Sequence, residues 1–65
     1  MEARMYAVKT RELGKTQWLF IGTGGSCTRL RIHAKLFTDR ARADALAADI
    51  NEENAGEWEA KTVEF

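Results

Sequence analysis

The chain has 65 residues, 45% apolar and 31% charged, with no net charge and no proline. Such a length allows one domain, residues 1–65, with a small core, because a chain this short buries only about 60% of the surface its unfolded form exposes; the composition argues against disorder. No run of about 18 apolar residues and no leader pattern is present, so no membrane span is expected. Cys27 and His33 are the only residues of their kinds, which argues against a disulfide-stapled monomer and a multi-ligand metal site. We therefore expect a cytoplasmic setting, no metal and no cofactor.

In chain order, Arg4 to Arg11 alternates Tyr6 and Val8 with polar neighbours and predicts a strand. Glu12-Leu13-Gly14-Lys15 reads as a turn, with Gly14 free to take positive φ. Thr16 to Gly22 is apolar on both parities, as in a strand buried on both sides or in an oligomer. Taking Leu13-Gly14 as the loop of a hairpin pairs Val8 with Leu19 and Tyr6 with Ile21. Those side chains then share one face, and Ala7, Lys9, Trp18 and Phe20 share the other. Gly22 to Ser26 lacks the third spaced glycine and the Gly-Lys-Ser/Thr ending of a phosphate loop, and reads as a hairpin loop.

Thr28 to Phe37 alternates strictly. Leu30, Ile32, Ala34 and Leu36 are expected to point one way and Arg29, Arg31, His33 and Lys35 the other. Cys27 and His33 would then lie about 20 Å apart along one strand, too far for a thiol and base to meet.

Thr38 to Ala55 carries the helix. Thr38 suits the N-cap, Asp39 suits the first turn, and Gly56 suits a left-handed C-terminal position. Ala43, Leu46, Ala47 and Ile50 make one apolar stripe, which should be buried while Arg40, Arg42 and Asp44 face water. The acidic residues Asp44, Asp49, Glu52 and Glu53 lack the spacing of a calcium loop. Glu57 to Phe65 predicts the last strand. Its apolar positions change parity between Ala60 and Val63, so a bulge near Lys61 and Thr62 is expected.

The expected fold is therefore α+β: a small antiparallel sheet in the order β-β-β-α-β with one helix packed on one face. The face away from the helix would gather Trp18, Phe20, Arg29, Arg31, His33 and Lys35, which we take as the partner-binding residues. Aromatics and cations together suit single-stranded nucleic acid. They also suit a sheet face paired with the acids of the last strand, or one covered by a second copy in a homodimer or by another protein. Charge is also divided along the chain. Residues 1–42 hold nine Lys/Arg against three acids, giving +6, and residues 43–65 hold one against seven, giving −6. Internal pairing of the halves and two separate patches are both consistent with that division.

The run Ala34-Lys35-Leu36-Phe37-Thr38, an alanine-rich helix ending at Ala55-Gly56, and a final short strand resemble, in element order over residues 4–65, small proteins encoded by phages and prophages. Some of these are anti-CRISPR proteins. The resemblance implies a non-catalytic inhibitor that occupies a surface of a host protein or protein–nucleic-acid complex. It assigns no residue a role, because that group shares no common site.

Overall fold

A computed structural model describes residues 4–65. Strands β1 (Tyr6–Glu12), β2 (Leu19–Ile21), β3 (Cys27–Thr28) and β4 (Trp58–Glu64) form one antiparallel sheet in the order β3-β2-β1-β4. The helix α1 (Arg40–Glu53) packs on one face. The fold is α+β with a small sheet, and no described helix is long and apolar enough to cross a membrane.

The stripe on α1 does what its spacing requires. Ala43 and Ala47 are buried against Val8, with Leu46 and Ile50 packed around them beside Tyr6, Ile21, Phe37 and Ala60. Small residues let the helix axis approach the sheet closely. Arg40, Arg42 and Asp44 are exposed. The cap is Asp39 and not Thr38: its Oδ1 accepts from the Ala41 N–H at 2.9 Å. Helix exit is capped at Asn54, and Gly56, two residues further, takes φ 86° in a turn closed by Glu57 N–H donating to the Asn54 carbonyl at 2.9 Å.

In the first hairpin Gly14 takes the expected positive φ of 87°, in a turn closed by Lys15 N–H donating to the Glu12 carbonyl. The expected pairing is displaced by two residues. Lys9 lies opposite Phe20 and Thr10 opposite Leu19, because residues 13–18 form a longer connection than two residues. A two-residue displacement keeps parity, so the expected faces survive.

The third strand departs most from its alternation. It stops after Thr28, whose hydroxyl accepts from the Leu30 N–H at 3.1 Å and so takes an amide from the ladder. A 3₁₀ turn at Arg31–His33 follows. Residues 34–37 then return to the sheet, where Ala34 bridges Gly22 and Phe37 bridges Tyr6. Only Ala34 of the expected apolar row is buried; Leu30, Ile32 and Leu36 are 56%, 85% and 41% exposed. The return also folds His33 back toward Ser26. A Cβ on Gly22 would meet the Ser26 carbonyl oxygen at 3.0 Å and that of His33 at 3.3 Å, a tight fit that brings both carbonyls close to Gly22, so the expected 20 Å separation does not occur.

β4 contains no bulge. Its ladder with β1 runs unbroken from Tyr6 opposite Glu64 to Glu12 opposite Trp58. The parity change has another cause: Trp58, Ala60 and Thr62 lie on the helix side, and Glu59, Lys61 and Val63 on the far side, so both faces hold half-buried positions. β4 is an edge strand. At its outer rim Asn51 of α1 donates from Nδ2 to the Ala60 carbonyl at 3.0 Å and accepts the Ala60 N–H at 2.7 Å.

Candidate binding face of the sheet

The far face is built from odd-numbered positions of β1 and β4 and even-numbered positions around β2, as the register dictates. Arg11 is directly across from Trp18 if the β1–β2 register is extended by one pair, and its Cζ lies 4.8 Å from the Trp18 ring centroid. From the other neighbouring strand, the Lys61 Nζ approaches the same ring to 4.5 Å. Phe20 has the Lys9 Nζ 5.1 Å from its centroid and meets Phe65 edge-on at 6.3 Å. Phe65 continues the ladder, donating its N–H to the Met5 carbonyl, and carries the Arg31 guanidinium 4.4 Å from its ring. Each such contact contributes about 0.5–1 kcal/mol at an exposed position. Ala7 lies on this face and is fully buried, so the surrounding side chains close over it. Between them is a depression of about 320 Å³ lined by Lys9, Phe20, Arg31, Val63, Glu64 and Phe65.

The electrostatics are lopsided. Arg11 pairs with Glu59, and Arg4 with Glu64 at 3.8 Å. Lys9 and Lys61 sit directly opposite one another on β1 and β4. Neither makes an ion pair among the described residues. Like charges facing each other across strands are destabilising. Here the electron-rich faces of Phe20 and Trp18 offset part of that cost.

Of the residues expected to form the site, Trp18, Phe20 and Arg31 are brought to this face. Arg29 and His33 are exposed on the segment around the 3₁₀ turn. Lys35 leaves the face altogether: its Nζ lies 5.3 Å from the ring of Phe37, which packs with the helix-side core. The strict alternation of 28–37 had put these four cations in one row; the break at Thr28 disperses them. Lys9, Arg11, Lys61 and Phe65 were not among the expected site residues, although the register alone had already set Lys9 on this face. A continuous β4 would have supplied Lys61 and Phe65.

Cys27 is an exposed free thiol at the start of β3. Among the described residues no group of three His, Cys, Asp or Glu side chains is arranged to hold a metal ion. No family model, curated protein or solved structure matches the chain.

Proposed function

We propose that the protein works by binding and not by catalysis, and that it occupies an acidic surface of a host protein complex with the sheet face away from the helix. This is the mode of action implied by its resemblance to phage-encoded inhibitors. The observation that carries the reading is the Lys9–Lys61 pair, two like charges held opposite each other and left without carboxylate partners among the described residues. That arrangement costs stability in the free protein, and an anionic partner relieves it. The cations that stand on the rings favour an anionic surface over stacked bases. Cations already stand over Trp18, Phe20 and Phe65, so the face offers charge outward more than open stacking surface.

A second reading, single-stranded nucleic acid, has the spacing of Trp18 and Phe20 on one face in its favour. Capture from a bacterial lysate with wild type and with the double variant Lys9→Gln/Lys61→Gln tests the first. Capture of a protein complex that falls with added salt and with the double variant supports it. Capture indifferent to both overturns it. Salt-sensitive binding of an oligothymidine probe, lost in a Trp18→Ala variant, moves the function to the second reading.

A further inference from the structure

Away from the far face lie two surfaces that complement each other. One is a protrusion. Ile32, in the 3₁₀ turn, is 85% exposed, Leu30 is 56% exposed, and the same segment carries the exposed cations Arg29 and Lys35, while Arg31 is turned to the far face. The other is a groove of about 210 Å³ between the C-terminal part of α1 and the sheet, lined by Thr10, Ile21, Cys27, Ile50, Asn54 and Trp58. Three of its lining residues have an exposed acid beside them in sequence: Asp49 precedes Ile50, Glu53 precedes Asn54 and Glu57 precedes Trp58. None of those acids, and none of Arg29, Arg31 and Lys35, makes an ion pair among the described residues.

We propose that the occupant of this groove is Ile32 of a second copy of the chain. A branched aliphatic side chain fits the volume, and the cations near it in sequence, Arg29 and Lys35, are opposite in sign to the acids that neighbour the groove's lining residues in sequence. The charge division along the sequence, +6 before residue 43 and −6 after it, is then satisfied between copies. Protrusion and groove share the β3 region, Cys27 lining one and residues 29–32 forming the other. Two copies related by a two-fold axis therefore exchange protrusions, each Ile32 entering the partner's groove, as an isologous contact requires. The contact uses neither Trp18 nor the Lys9–Lys61 pair, so it stands or falls separately from the binding function of the sheet face.

Sedimentation equilibrium of the full chain, from micromolar to millimolar concentration at low and high salt, tests this. The wild type should associate to a dimer that weakens with salt. Ile32→Asp and Cys27→Trp, the second filling the groove, should each weaken association about tenfold or more. Both positions are exposed, and circular dichroism checks that the fold is kept; Ile32→Ser serves if Ile32→Asp disturbs it. An equimolar mixture of the two variants should recover part of the association, because the intact groove of one receives the intact Ile32 of the other. A monomer at every concentration overturns the proposal, as does a mixture that recovers nothing. Association that ignores Ile32→Asp but disappears with Trp18→Ala places the contact on the sheet face instead, and overturns it equally.

Discussion

Thr62 is the residue most plainly out of place. It lies on the helix side of β4 opposite Val8, and its hydroxyl is buried with no hydrogen-bond partner among the described residues. An unsatisfied buried polar group costs about 1–3 kcal/mol. Thr62→Val keeps the shape and removes the hydroxyl, so it should stabilise by about 1 kcal/mol, raising the melting temperature by about 4–8 °C for a domain of this size; an unchanged or lower melting temperature would show that the hydroxyl has a partner. Its neighbour Lys61 makes the opposite trade. Lys61→Gln removes the repulsion of Lys9 and should leave the fold equally or more stable, by up to about 1 kcal/mol, while weakening capture of the partner. A clear loss of stability on denaturant titration would mean that the contact with Trp18 outweighs the repulsion. Lys61 was hard to place from sequence because the parity change in β4 has two physical causes that look alike. A bulge shifts the phase, and a strand half-buried on both faces needs no phase. Only the unbroken ladder distinguishes them.

At the scale of elements, α1 was the most legible part. Its stripe of Ala43, Leu46, Ala47 and Ile50 repeats at the helical period, and tertiary packing uses the same residues. Leu46 is only half-buried, so Leu46→Ala should cost about 2 kcal/mol, the low end of the range for such truncations. Thermal unfolding measures it, and a cost near zero would mean that the stripe does not hold the helix down. The helix places no acid in its first turn and no base in its last, so apart from the Asp39 cap it gains little from its own dipole and depends on that packing. The third strand was the least legible element. Alternation over 28–37 is perfect, but alternation describes one strand and says nothing of whether a neighbour exists to pair with it. β2 is three residues long and offers β3 two pairs, after which the Thr28 hydroxyl and the 3₁₀ turn satisfy the backbone locally. The candidate face suffered with it: hairpin parity puts Trp18 and Phe20 on the side where the structure has them, whereas the placement of Arg29, His33 and Lys35 depended on a strand that does not continue.

The whole molecule balances a thin core against divided charge. Val8 is the one large side chain fully buried among the described residues. A domain of this kind has a total stability of about 5 kcal/mol, so the losses above are large fractions of it. Among the described residues, three ion pairs tie the basic part of the sequence to the acidic part, Arg4–Glu64, Arg11–Glu59 and Arg40–Asp44. The cations around the 3₁₀ turn and the acids at the end of α1 take no part in them, so internal pairing accounts for only part of the division. One small contact bears on how such a molecule behaves when crowded. The carboxamide of Asn51 offers Ala60 a donor and an acceptor, as a peptide group would, and fills the slot where a fifth strand would begin. An amyloid fibre growing from the β4 rim must first expel it. Asn51→Ala should therefore cost only about 1 kcal/mol of stability yet shorten the lag before thioflavin fluorescence rises in concentrated, agitated solution, and an unaltered lag would show that fibre growth starts from somewhere else.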